Sequence, residues 1–315
     1  MMPSVGLDIV MISGVLAMAF RMAAPLIYGT IGEAFTERAG VLNLGIEGMM
    51  LMGASAGFLV GYGTGNLWLG VGAAALVGIL LGLVMAFLTV TLGAQQHVAG
   101  LGLTIACSGL SFYIYRINIA DVGGVPPHVE PFGTLPIPYL ADIPILGSVI
   151  FDQQALIYIG IILIPISAFI LFKTKLGLSI RAVGENPSAA DTAGINVFGI
   201  RYLCLAIAGA LSAIGGAWLS LSQSGMFLPG LTQGRGWVCI ALVVFCNWSP
   251  LRILGGALLF GGIDALQLTL QGIGWRIPYQ LFLMMPYVLT IVALVAVARR
   301  AKVPAALLSS YKRED

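Results

Sequence analysis

The chain has 315 residues, of which 59% are hydrophobic and only 9% charged, with a formal net charge of +2. A soluble domain carries roughly 25% charged residues, so a water-soluble fold is excluded and lipid is the solvent. The small net charge also argues against nucleic acid as a partner.

Apolar windows of about 20 residues suit membrane-spanning helices. The first covers 7–31 and is interrupted by Arg21 and Pro25. Others follow at 40–62, 67–92 and 97–117. A Pro-rich polar stretch, 118–152, holds Asp121, Glu130, Asp142 and Asp152 but no Lys or Arg. A fifth window covers 154–172, and a basic loop spans 173–201. Further windows lie at 202–222, 236–248, 253–270 and 278–298, before a basic tail from Arg299. The window at 236–248 is short enough to be re-entrant. The expected fold is therefore all-α and polytopic, a single transmembrane domain over 1–315 with about nine transmembrane helices (range 8–10).

Lys and Arg mark the cytoplasmic side. Lys173, Lys175, Arg181 and Arg201 flank one loop, and Arg299, Arg300, Lys302, Lys312 and Arg313 fill the tail. An odd number of spans puts both on the same side, with 118–152 and the N-terminus outside. No basic n-region of a cleavable signal peptide is evident. The cysteines Cys107, Cys204, Cys239 and Cys246 lie in apolar segments without C-x-x-C spacing and read as core residues. His97 and His128 have no neighbouring metal ligands, and the G-x-x-x-x-G-K-[ST] phosphate loop is absent.

The most informative stretch is T-E-R-A-G-V-L-N-L-G-I-E-G-M-M-L-M-G-A, from Thr36 to Ala54. It keeps Asn43 and Glu47 inside an apolar run. Four residues apart, they would share one helix face. A carboxylate deep in lipid is costly and marks a pathway or a polar partner. A glycine-rich packing helix with Glu47 near the membrane edge is the other reading. Glycine pairs such as Gly57/Gly61 and Gly78/Gly82 fit close helix packing, or are ordinary membrane-helix glycines.

In the 173–201 loop, Asn186 and Pro187 form a helix start, with Asn as N-cap and Pro at the first helical position. Ala189, Ala190 and Ala193 favour helix, Gly194 suits the C′ position, and Asn196 can cap the next span. A short capped helix between two spans reads as a docking knob, or as a mere connector.

At this point a family resemblance appears. G-L-S-I-R-A-V-G-E-N-P-S-A-A-D-T-A-G-I, followed by A-I-A-G-A-L-S-A-I-G-G-A, resembles the cytoplasmic coupling segment of ABC importer permeases of the ribose/branched-chain amino acid family. E-R-A-G-V-L-N-L-G-I-E-G-M-M-L-M-G-A resembles the simple-sugar and nucleoside subgroup. R-M-A-A-P-L, Y-Q-L-F-L-M-M-P-Y and V-P-A-A-L-L-S-S-Y-K-R-E extend the resemblance over nearly the whole chain. It implies a multi-pass subunit of the bacterial inner membrane that translocates a nucleoside, or alternatively a ribose- or galactose-like sugar. The implied partners are ABC ATPase subunits, a second permease subunit and an external substrate-binding protein. No cofactor is expected on this chain; ATP and Mg would be bound by the ATPase. Arg181, Gly184, Glu185, Asn186, Pro187, Ala189, Ala190 and Gly194 would form the coupling segment. The chain lacks the extra N-terminal basic segment and span of some members, which suits the shorter permease of a heterodimer.

Further polar groups lie in the last third. Asp264, Gln267 and Gln271 share one helix face by spacing. Gln223, Gln233 and Arg235 flank a Gly225–Pro229–Gly230 break before the short span, a pattern that points to transport sites. The candidate path is therefore Asn43, Glu47, Gln223, Asp264, Gln267 and Gln271. Trp237, Trp248, Phe227 and Phe245 are candidates for stacking on a base or for an interfacial belt. Arg21, His97, Gln95 and Gln96 read only as interface residues. An ion-coupled secondary transporter using Glu47 and Asp264 is the competing class. An intramembrane enzyme is disfavoured by the lack of a His/Asp/Glu cluster.

Overall fold

Helix α1 (Ser4–Arg38) runs 35 residues through the centre of the bundle. Its interior Pro25 lacks the N–H that would bond the Arg21 carbonyl. In this computed structural model the described residues are 4–119, 127–141, 143, 146–272, 281, 284, 285, 288–292, 295, 302–309 and 311. The other helices are α2 (Ile46–Thr64), α3 (Leu67–Ala86), α4 (Gln96–Ile119), α5 (Ala155–Lys173), α6 (Lys175–Glu185), α7 (Pro187–Thr192), α8 (Val197–Trp218), α9 (Arg235–Phe245) and α10 (Pro250–Gly272). The ends of α3 and α8 continue as π-helical turns, Phe87–Thr91 and Leu219–Gln223. A two-stranded antiparallel ribbon, β1 (Thr134–Pro136) against β2 (Asp152–Gln154), ties the middle of the polar loop to its C-terminal end with Thr134 opposite Gln154.

The protein is an all-α membrane protein. Six described helices are long and apolar enough to cross a bilayer: 12–38, 67–91, 96–119, 155–173, 197–223 and 250–272. Helix α2, with Glu47 and its glycines, is not among them, and α9 has only 11 residues. Most of the span expected at 278–298 lies outside the described residues. Leu76, Leu80 and Ile105 are 64%, 62% and 73% exposed, an outward apolar surface that only lipid or another subunit covers.

Helix α8 packs against α1, α2 and α3. Close approach to α3 depends on glycine: a Cβ at Gly78 would run into the Gly209 carbonyl, and one at Gly82 into the Leu205 carbonyl. These are backbone-to-backbone contacts of the small-residue type. The main core joins α1 to α5, α9 and α10 through Leu26, Ile27, Ile31, Ile164, Leu242 and Phe260.

Two local expectations change. Asn43 does not share a helix face with Glu47, because α2 begins only at Ile46. Gly40 sits at φ +83°, and Asn43 Oδ1 accepts the Gly45 N–H at 3.1 Å. This local bond offers the backbone an alternative to helix, so the chain stays non-helical until Ile46. The 173–201 loop is also more helical than expected. Thr174 caps α6, accepting the Gly177 N–H, and Gly177, Ile180 and Val183 turn inward at helical spacing.

Candidate functional site

The helices α2 and α9 both begin level with the middle of α1. The side chains of Ile46 and Cys239 each abut Gly29. Between the two helix starts lies Glu47. Its Oε1 accepts from Thr232 Oγ1 (2.5 Å) and from the Gly234 N–H (2.9 Å). Its Oε2 accepts from the Gly236 N–H (2.7 Å). The carboxylate thus satisfies otherwise orphaned N–H groups at the start of α9 and sits at the positive end of its dipole. Both its oxygens are used within the chain.

Arg235, at that same start, faces Asp264 of α10 at 3.8 Å. Its guanidinium also reaches Met22 Sδ at 4.0 Å, where Gln223 Nε2 arrives at 3.5 Å. The α9 entry therefore holds Glu47 through its backbone and Asp264 through Arg235, and Arg235 meets Gln223 at Met22. Gln267 is buried on α10, and Gln271 Nε2 lies on the same helix as a buried donor without a partner. Asn43 is spent elsewhere: its N–H donates to Glu33 Oε1 at 2.8 Å and its amide nitrogen contacts Met49 Sδ at 3.5 Å.

Above Met22 opens a cavity of about 500 Å³ between α1, the 148–154 segment and the π-turn after α8. Arg21, Asp152, Gln154, Trp218, Ser222 and Gln223 line it. Arg21 Nε donates to Gln153 Oε1 at 3.2 Å. Behind the wall, three of these residues each carry a deeply buried polar atom without a partner: Gln154 Oε1, Trp218 Nε1 and Ser222 Oγ. Sequence reasoning passed over Gln154, Trp218 and Ser222. The available signal was that Ser222 and Gln223 end a long span just before the Gly/Pro break.

At the opposite end of α1 a second cluster forms. Trp248 is 1% exposed and donates its indole N–H to Glu37 Oε2 at 2.6 Å, so it belongs to the core and not to an interfacial belt. Phe227 is equally buried, packed with Ala54 and Phe58. Arg201, also buried, donates to the carbonyls of Ala39 (3.2 Å) and Ser309 (3.3 Å). The Gly184 carbonyl accepts from the Ala306 N–H at 2.9 Å. The E-R-A-G turn, the end of α6 and the tail thus meet at one point. Gln96, left without a role by the sequence, accepts the Leu42 N–H at 2.8 Å.

Helix α7 stands beside this cluster. Asn186 Oδ1 accepts the Ala189 N–H at 3.0 Å, and Asn196 Oδ1 the Gly199 N–H at 2.9 Å. Gly194 takes φ +84° after the helix. Ala190 packs inward on Val183 and Val197, while Glu185, Asn186 and Ala189 are exposed. Arg181 lies 5.5 Å over the ring of Phe172. Tyr311 Oη donates to Asp191 Oδ2 at 3.0 Å.

Residues 53–57, G-A-S-A-G, match the G-x-S-x-G nucleophile pattern. They lie inside α2, and Ser55 Oγ donates to the Ser111 carbonyl at 3.1 Å, so no strand-to-helix elbow exists there. Among the described residues no group of three or more His, Cys, Asp or Glu could hold a metal ion.

The chain matches the family described as branched-chain amino acid transport system, permease component, over residues 9–294. TsgC13 of Haloferax volcanii, provisionally named a glucose ABC transporter permease protein, is 40% identical over 96% of this chain and 98% of its own length. The guanosine ABC transporter permease protein NupQ of Bacillus subtilis is 38% identical over 95% of this chain and 97% of its own. The nucleoside ABC transporter permease protein NupC of Lactococcus lactis is 33% identical over 90% and 92%. Each of these organisms also has a second, more distant permease relative: TsgB13 (26%), NupP (26%) and NupB (27%). No solved structure matches. The protein thus belongs to the family of branched-chain amino acid transport permease components, among the ABC transporter permeases of the simple-sugar and nucleoside subgroup.

Proposed function

We propose that the chain is one of two permease subunits of an ATP-driven importer that carries a nucleoside across the bacterial inner membrane. The observation that carries this reading is near full-length likeness to NupQ and NupC, named for guanosine and for nucleosides. The paired relatives in each organism support a heterodimer. A glucose-like sugar is the second reading, favoured by TsgC13.

In this reading the spans number about nine, with α2, α9 and 278–298 added to the six apolar helices. The 173–201 loop and the tail face the cytoplasm, and 118–152 faces out, from the Lys/Arg distribution. An external binding protein delivers cargo to the outer half of the bundle. The capped helix α7 docks on a cytoplasmic ATPase that binds ATP and Mg; this chain itself binds no cofactor. Asp191–Tyr311 and Gly184–Ala306 tie that helix to the tail, and Arg201 ties the tail to the end of α1. Motion at α7 is thereby passed to α1, whose other half forms the cavity wall. Gln223, Asp264, Gln267 and Gln271 belong to the path, while Asn43 and Glu47 shape it by holding the entries of α2 and α9.

The test is reconstitution of the complete transporter in liposomes. ATP-dependent uptake of guanosine in preference to glucose supports the nucleoside reading. The reverse preference selects the sugar, and uptake without an ATPase partner would restore the ion-coupled alternative.

A further inference from the structure

We infer that helix α6 lies in the membrane surface, and that Arg38, Arg181, Lys173 and Lys175 bind the phosphate of an anionic phospholipid there. The inference rests on the spans α1 and α5 and not on the cargo, so it can fail separately from the importer reading. Two helix ends fix the level of the surface. The apolar segments of α1 and α5 end at Arg38 and Lys173. The Arg38 guanidinium sits 5.7 Å from the centre of the Phe172 ring, so the two ends are level. Helix α6 starts at Lys175, after the single residue Thr174. Thr174 is extended, with φ −113° and ψ 160°, and turns the chain out of α5. A Cβ at Gly177 would strike the Ile170 and Leu171 carbonyls, so α6 folds back against the last turn of α5. It therefore stays at the level where both spans end.

The side chains suit that position. Gly177, Ile180, Val183 and Gly184 are buried against the protein. Leu178 points away from them and is 60% exposed. Arg181 follows it on the same side at helical spacing. On α5, the exposed Ile162, Ile166 and Phe169 form an outward apolar stripe that runs up to Phe172. The stripe continues across the bend, because Arg181 lies over the Phe172 ring. Lys173 and Lys175 are exposed beside it. Apolar side chains flanked by lysine and arginine fit the headgroup boundary: the leucine enters the acyl region and the long cationic side chains reach the phosphates.

Charge then selects the lipid. Arg38 and Arg181 stack on the same ring, at 5.7 and 5.5 Å from its centre. Arg181 repels Arg38, while Glu185 attracts it. Lys173 and Lys175 add two positive charges against that one carboxylate. Arg38 donates through Nε and Nη2 to the Trp248 carbonyl, at 3.4 and 3.3 Å. Arg181 donates only through Nε, to the Gly177 carbonyl at 3.4 Å, so among the described residues its two terminal nitrogens are unused. A phosphate at this point relieves the repulsion and accepts the paired N–H groups of a guanidinium. A zwitterionic lipid brings its own cation to the cluster, whereas an acidic lipid does not. The resemblance places Arg181 among the ATPase-coupling residues; its stacking on a span-end phenylalanine places it with the bilayer instead.

The experiment uses the complete transporter in nanodiscs of phosphatidylcholine with increasing phosphatidylglycerol. An environment-sensitive dye is carried on Leu178→Cys, in a background whose native cysteines are replaced. The dye should report an apolar setting, and phosphatidylglycerol should shift its signal in a saturable way. Lys173→Gln and Lys175→Gln should each raise the phosphatidylglycerol needed by about fivefold. Arg181→Gln should do the same, and the two exposed lysines keep the test decisive if that half-buried change disturbs folding. Arg116→Gln, in the last turn of α4, should leave the titration unchanged. A dye that reports water in every disc would overturn the surface position. Lysine variants that titrate like the parent, or an equal loss with Arg116→Gln, would reduce the effect to bulk surface charge and overturn the site. The same signal from inorganic phosphate in pure phosphatidylcholine would mean a free-anion site and overturn the lipid. A dye shielded in pure phosphatidylcholine and indifferent to phosphatidylglycerol would give this face to another subunit, which overturns the lipid as well.

Discussion

Glu47 shows how a buried carboxylate can be structural. It receives three hydrogen bonds from one loop, two of them from backbone N–H groups at the start of α9. Glu47→Gln keeps the shape but turns an amide N–H₂ toward a backbone donor. Leaving such a buried donor unmet costs about 1–3 kcal/mol. Less assembled protein and a lower melting temperature are expected, with per-complex preference between guanosine and glucose unchanged. A stable variant with altered preference would instead place Glu47 in contact with cargo. Arg201 is the counterpart at the other end of α1, where it gathers the Ala39 and Ser309 carbonyls. Arg201→Lys cannot span both acceptors with a planar fork. The tail should then loosen, read as faster proteolysis near 302–309. Unchanged protease resistance would show that the other tail bonds suffice.

Helix α7 has two unequal faces. Ala189 is exposed, whereas Ala190 is buried against Val183 and Val197. Arginine at the two positions therefore separates docking from folding. Ala189→Arg should abolish ATP-driven uptake while the permease pair still assembles. Ala190→Arg should lower the yield of folded protein, because it buries a charge without a partner. Full uptake by Ala189→Arg would remove α7 as the docking element. The pairing of α3 with α8 is set by glycine in the same physical sense. With the Gly209 carbonyl directly over Gly78, Gly78→Leu must push the helices apart, and loss of assembled protein is expected.

Sidedness is a property of the assembled chain. Cysteines introduced at Ser188 and Gly133, in a background lacking the four native cysteines, should react with an impermeant reagent from opposite sides of the membrane. Reaction of both from outside intact cells would reverse the proposed topology. The geometry links the two sides: the cavity lies along the first half of α1, and the Arg201 cluster at its last turn. One long helix thus joins the cavity to the Arg201 cluster.

Composition alone decided the lipid environment, since so few charges cannot cover a water-soluble surface. Period and punctuation decided the helices: Asn186-Pro187, Asn196 and Gly194 act locally, so their roles could be read without neighbours. The polar break before α9 was equally visible, because glycine and proline act through their own backbone. The outcome at Asn43 was not, because a helical spacing to Glu47 competed with a side-chain bond to Gly45. Trp218, Ser222 and Gln154 were invisible for a different reason. In sequence each is an ordinary residue at the end of a span. Only packing shows that all three residues line one cavity and that each keeps a buried polar atom without a partner. Trp248 makes the same point in reverse: its indole is indistinguishable from a belt residue until Glu37, 211 positions away, arrives to accept its N–H. Hydrogen-bond satisfaction is settled by groups distant in the chain, so it belongs to the tertiary structure.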